Sequence, residues 1–152
     1  MTDYHSLCQS VAGLIDGVPH LIANLANASA AAWQAIEDIN WVGFYLMEDG
    51  KLVLGPFQGK PACIEIALHR GVCGAAVTSG ETQLVEDVRD FPGHVACDPA
   101  SRSEVVVPIR AHGEVVAVLD VDSSTVGRFT DADKAGLEQL AAVVERELAE
   151  LW

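Results

Sequence analysis

Lysine and arginine are scarce in this chain: nine of them stand against 22 acidic residues, for a formal net charge of −13. Nucleic acids and anionic lipid surfaces are bound through clustered basic side chains, so both are excluded as expected partners. A cationic or zwitterionic small ligand is compatible with the charge, as is a surface that only keeps the chain dispersed. No apolar run approaches the roughly 18 residues of a membrane span. Met1-Thr2-Asp3-Tyr4-His5 lacks the basic and then apolar pattern of a secretory leader, so a cytoplasmic location is expected. G-x-G-x-x-G, P-loop and H-E-x-x-H patterns are all missing, which removes support for nucleotide-fingerprint and zincin chemistry.

What is present is a half-apolar chain of 152 residues, expected to form one domain over 1–152. At that size folding buries roughly 70% of the unfolded chain's surface, so no metal or disulfide is needed to hold a core. The four cysteines are Cys8, Cys63, Cys73 and Cys97. Two structural disulfides are possible, but the missing leader and the adequate core favour free, catalytic or redox thiols.

Apolar residues at three- and four-residue steps predict a helix through Tyr4, Leu7, Cys8, Val11, Leu14 and Ile15, with Cys8 buried and inert on its stripe. A second helix follows through Leu21, Leu25, Ala28, Ala32 and Ile36. The period then changes. Residues 40–47 are aromatic and β-branched, Asp49-Gly50 is a tight-turn signal, and Leu52-Val53-Leu54 returns, disturbed by Gly55-Pro56. Residues 63–67 read as a third strand, and Gly71 to Val77 as a loop entering a short helix. Residues 86–103 form a long loop, a feature that in small domains is usually functional. Glu104–Arg110 and Val115–Val121 read as buried strands, and Thr130 caps a last helix through Leu137, Leu140, Ala141, Val144, Leu148 and Leu151. The order predicts an α+β fold: a central antiparallel sheet flanked by N- and C-terminal helices.

Three groups can carry chemistry. Trp41, Gly43 and Tyr45 share one strand face, either as an aromatic core with a close-packed glycine or as two rings with a ligand-sized gap between them. Asp120 and Asp122 point the same way along one strand. A two-residue turn at His112-Gly113 would place Glu104 on the opposite face, whereas a three-residue connection would bring all three acids together. Together they cannot all ionise cheaply, so one would hold a proton and serve as a general acid; apart, they mark a solvated strand end. Cys97 sits in the long loop with His94 and Arg102 as candidate positive neighbours, and Asp98 opposing them. Cys73 opens the short helix, whose amides would lower its pKa. Cys63, Cys73, Cys97 and His94 lack a C-x₂₋₄-C knuckle, which argues against a zinc site, and neither metal nor cofactor is expected.

Six segments carry a resemblance: Asn40 to Leu46, Leu54 to Lys60, Arg70-Gly71-Val72-Cys73-Gly74, Gly93-His94-Val95-Ala96-Cys97-Asp98, Leu119-Asp120-Val121-Asp122-Ser123, and Gly127-Arg128-Phe129-Thr130. From about residue 20 to 150 the chain resembles the free methionine-(R)-sulfoxide reductases, which are GAF-domain enzymes. The resemblance implies Cys97 as the thiol that attacks the sulfoxide, Cys63 as the resolving thiol, and Cys73 as an ancillary or alternative one. It implies Glu104, Asp120 and Asp122 as the substrate-binding and proton-donating set, with Trp41 and Tyr45 walling the methyl-sulfoxide end. A Cys63–Cys97 disulfide, a thioredoxin-like reductant and a homodimer follow from the same likeness. Two readings compete with it: a non-catalytic GAF sensor of a small ligand or of redox state, and a zinc-stabilised interaction domain.

Overall fold

In the computed structural model, which describes residues 1–152, the chain runs α1 (Tyr4–Ile15), α2 (Leu21–Ala35), β1 (Trp41–Glu48), β2 (Lys51–Gly59), β3 (Glu65–Ile66), α3 (Gly71–Ser79), β4 (Gln83–Val85), β5 (Ser103–Ala111), β6 (Glu114–Ser123) and α4 (Asp131–Leu148). The strands form one antiparallel sheet in the order β3-β2-β1-β6-β5-β4, the α+β plan expected. Both long hairpins turn on two residues of positive φ: Asp49 (51°) with Gly50 (79°), and His112 (54°) with Gly113 (80°). Such turns match the right-handed twist of the strands they join. Opposite Phe44, the β1–β2 register slips at Gly55-Pro56, where the sequence signals a disturbance.

One sheet face is covered by α1, α2 and α4. Leu7 and Val11, Leu25 and Ala28, and Leu137, Leu140 and Val144 meet Val42, Phe44, Val105, Val107, Leu119 and Val121 in the larger core. Thr130 caps α4 reciprocally: its hydroxyl accepts from the Asp133 amide at 3.3 Å, and the Asp133 carboxylate accepts from the Thr130 amide at 2.8 Å. Two stripe positions differ from expectation. Leu14 is 47% exposed, and Cys8 is half-buried at the margin of the core. Leu151 packs against that core from a turn beyond α4.

The other face carries α3 and the 86–102 segment over a smaller apolar group that includes Ile66, Val72, Ala76, Val106 and Val118. Here the sequence reading needs two changes. The strand expected over 63–67 pairs only at Glu65–Ile66, because Cys63 leaves the sheet edge to meet Cys97. The short β4 was missed, and one 3-10 turn, Val88–Asp90, interrupts the expected loop.

Candidate active site

Register decides which side chains meet. Residues directly opposite in an antiparallel pair project from the same face, and β6 is paired on both sides. Asp122 lies opposite Trp41 of β1 and Glu104 of β5; Asp120 lies opposite Gly43 and Val106. Glu104, Asp120, Asp122 and Trp41 therefore share the α3-side face. The turn is the two-residue one, pairing Ala111 with Glu114, and an unbroken ladder from it would set Glu104 against Val121 on the helix-covered face. A bulge intervenes: Arg110 pairs with Val115 but Ile109 with Ala117, leaving Val116 unpaired. That extra residue shifts the register by one and brings the three acids together, so the bulge replaces the longer turn that the sequence reading required.

Burial then sets their electrostatics. Glu104, Asp120 and Asp122 are 9%, 5% and 9% exposed. Desolvation pushes all three carboxyls well above the ordinary range, reinforced by the negative charge of a neighbour: Asp120 acts on Glu104, Asp122 on Asp120, and Glu104 on Asp122. Asp120 Oδ1 is buried without a hydrogen-bond donor. Cys73 Sγ lies 3.6 Å from Asp120 Oδ2. Burial, followed by the charges of Asp120, Glu104 and Asp122, holds the Cys73 thiol well above its usual value. The expectation that the start of α3 lowers this pKa is thus overturned, because desolvation and three acids outweigh a few helix amides.

Of the two readings of the Trp41–Tyr45 face, the structure bears out the aromatic one with a close-packed glycine and not the ligand-sized gap. The Trp41 and Tyr45 rings stack with centroids 5.7 Å apart, so no ligand lies between them. Gly43 has no side chain to keep them separate. Its cross-strand partner Phe57 also stacks on Trp41, at 5.2 Å. The rings instead present one surface to a pocket that the three acids, Cys73, Cys97 and His94 also line.

Cys97 and Cys63 are joined in a disulfide with α-carbons 5.3 Å apart. The 86–102 segment thus folds back over the sheet and delivers Cys97 to the pocket mouth. Cys73 and Cys8 remain free. Of the two positive neighbours expected for Cys97, Arg102 is taken by Asp87 at 2.7 Å, whereas His94 lines the pocket. With Cys63 and Cys97 bonded to each other, the four-ligand zinc set is not formed. The ligand-type atoms that do converge, within 4.8 Å, are those of Cys73, Glu104 and Asp120 on the pocket floor. The sequence reading missed the apolar lining from Ile66, Val88 and Val95, which only the tertiary fold brings together, and Ser101.

Known proteins are similar to this chain over most of its length. A family model described as GAF domain matches residues 23–148. The free methionine-R-sulfoxide reductase of Escherichia coli is 51% identical over 146 residues, covering 96% of this chain and 88% of that protein. The chain belongs to the free methionine-R-sulfoxide reductase family of GAF domains. Solved structures of the family superpose closely. Staphylococcus aureus fRMsr in complex with substrate gives a TM-score of 0.93 at 47% identity, with 97% of each chain covered. The Neisseria meningitidis free methionine-R-sulfoxide reductase in complex with its substrate gives 0.92 at 39%, covering 97% of this chain and 89% of that one.

Proposed function

We propose that this chain, acting as one GAF-type domain over 1–152, reduces free methionine-(R)-sulfoxide to methionine. The observation that carries the reading is a disulfide from Cys97 to Cys63 at the mouth of a pocket floored by three buried carboxyls. A sulfoxide sulfur is a poor electrophile until its oxygen is protonated or strongly hydrogen-bonded. An acid that keeps its proton near neutral pH supplies this, and the raised carboxyls of Glu104, Asp120 and Asp122 have that character. The Cys97 thiolate attacks the sulfur. Oxygen passes to Cys97, which becomes a sulfenic acid as the sulfoxide is reduced by two electrons to the thioether. The Cys63 thiol then attacks Cys97 sulfur, the S–S bond forms and water leaves. An external dithiol, thioredoxin-like in class, returns both cysteines to thiols by exchange.

Cys63 is the resolving thiol in this reading, and its bond to Cys97 supports the assignment. Cys73, turned toward Asp120, has an ancillary role. Trp41 and Tyr45 hold the methyl end. The acids not engaged at the sulfoxide oxygen bind the substrate's ammonium group, which is why the free amino acid is the substrate. The R preference follows the family. No helix is long and apolar enough to cross a membrane; cytoplasmic residence and a homodimer complete the proposal. A non-catalytic sensor needs a pocket but neither a nucleophile nor a resolving thiol.

The deciding experiment mixes pre-reduced enzyme with each sulfoxide epimer and no reductant. Wild type releases about one methionine per enzyme from the R epimer and forms the disulfide. Cys63→Ser retains the first methionine but not recycling, and Cys97→Ser releases none. Methionine released by Cys97→Ser removes that residue as nucleophile; none released by wild type removes the enzyme reading.

A further inference from the structure

Between Gly93 and Arg102 the nucleophile's segment makes almost no hydrogen bonds outside itself. Gly93 O accepts from Gly71 N at one end, and Arg102 N donates to Ser123 O at the other. The bonds between these ends are local: His94 N to Phe91 O, Cys97 N to Val95 O, Ser101 N to Asp98 O, and Ala100 N to Asp98 Oδ1. The exception comes from Asn40, at the entrance to β1. Its Nδ2 donates to Asp98 Oδ2 at 3.2 Å and to Ser101 Oγ at 3.0 Å. Apart from the Cys63–Cys97 bond, this one amide is the side-chain tie between residues 94–101 and the rest of the molecule; Arg102, at the segment's end, is held by Asp87.

The other end of Asn40 is fixed to the acids' strand. Its backbone N–H donates to Asp122 O at 2.9 Å, one residue before Trp41 pairs with Asp122. Asn40 therefore spans the carboxyl floor and the Cys97 segment. Its Oδ1 is buried without a partner. Turning the amide over would set that oxygen against the Asp98 carboxylate, so the donor end faces the segment and the acceptor end goes unsatisfied. A residue present only to fill space has no reason to be an amide here.

When the disulfide opens, the covalent tie is lost, and that is the form that must meet substrate. We propose that Asn40 is a positioning residue that holds the Cys97–Ser101 segment over the pocket in the reduced enzyme. This rests on the reading of Cys97 as nucleophile. A nucleophile displaced by about 1 Å can lose on the order of 10²-fold in rate. Asn40 itself does not line the pocket, so its loss should fall mainly on the chemical step.

The test uses full-length, pre-reduced Asn40→Ala and Asn40→Asp. It measures the rate of the first methionine at saturating free methionine-(R)-sulfoxide, together with KM. Asn40→Asp has the same size but turns an acceptor toward Asp98. Both variants should slow the first turnover by about 10- to 100-fold, with KM moving far less. If Asn40→Ala fails to fold, the isosteric Asn40→Asp decides alone. A wild-type first-turnover rate in Asn40→Asp overturns the proposal, as does a loss expressed wholly in KM. An inactive wild type would instead overturn the enzymatic reading on which it rests.

Discussion

Three carboxyls buried on one face of the sheet make the native protein hold protons that the unfolded chain releases, and this fixes how stability responds to pH. Unfolded Asp and Glu titrate near pH 4. In the native state Glu104, Asp120 and Asp122 are pushed up, first by burial and then by one another. Over the window between the unfolded and native values the native state carries more protons, so stability falls as pH rises. The stability is complete below about pH 4 and is lost as pH climbs through the native values. Each pH unit over which one proton is retained corresponds to about 1.4 kcal/mol. For a chain of 152 residues, 1 kcal/mol is about 2–4 °C in Tm. One retained proton between pH 5 and pH 7 therefore lowers Tm by about 5–11 °C.

Asp120→Asn removes one of these acids and supplies an amide donor to its neighbours. It should raise Tm at pH 7 by several degrees, flatten the slope between pH 5 and 8, and depress turnover. A gain in stability with a loss of activity is the signature of a site kept under strain for function. Thermal denaturation of the oxidised protein at half-unit pH intervals reads it, since the disulfide then fixes the Cys97 segment. Asp133, which hydrogen bonds from Thr130 and Tyr4 hold low against its burial, acts in the opposite sense at the acid end and does not enter this window. A variant Tm at or below wild type at pH 7, with the slope unchanged, would show that the cluster does not carry the excess protons.

Two other predictions concern the same face. N-acetylation of the substrate removes the ammonium and leaves buried carboxyls without their partner, so kcat/KM on N-acetylmethionine sulfoxide should fall well over tenfold; equal values on both compounds would refute the ammonium-binding role. Gly43→Ala places a Cβ 2.3 Å from Phe57 Cβ and 2.7 Å from its Cα, so β2 must move and take the ring stacked on Trp41 with it. Denaturant unfolding should show a loss of about 1–3 kcal/mol or more, and a loss under 0.5 kcal/mol would mean the strand pair is looser than drawn.

The parts of this fold legible from sequence are those that local chemistry dictates. Asp49-Gly50 and His112-Gly113 reveal both hairpins because each two-residue turn needs positive φ, which its glycine adopts without strain. The α4 cap follows from Thr130 for a similar reason. Three-residue β4 carries too short a pattern to register, and Cys63 reads as strand until its partner pulls it out of line. The aromatic gap failed because spacing along a strand fixes where side chains leave the backbone, not where their rings come to rest.

The acid cluster shows most sharply where local reading stops. Its three members are visible in sequence, but whether they meet depends on a single residue's worth of register, and Val116 carries no mark of a bulge: it is one more valine in an apolar strand. What forces the slip is a comparison between two whole registers. In the unshifted one Glu104 enters the helix-covered face opposite Val121, a dry core where its charge has no partner. In the shifted one it joins two other acids that share protons and border a pocket. Burying a lone carboxylate among aliphatic side chains costs more than one unpaired ladder position. Glu104 therefore selects the bulge that Val116 absorbs, and the chemistry of the site helps to determine the sheet that builds it.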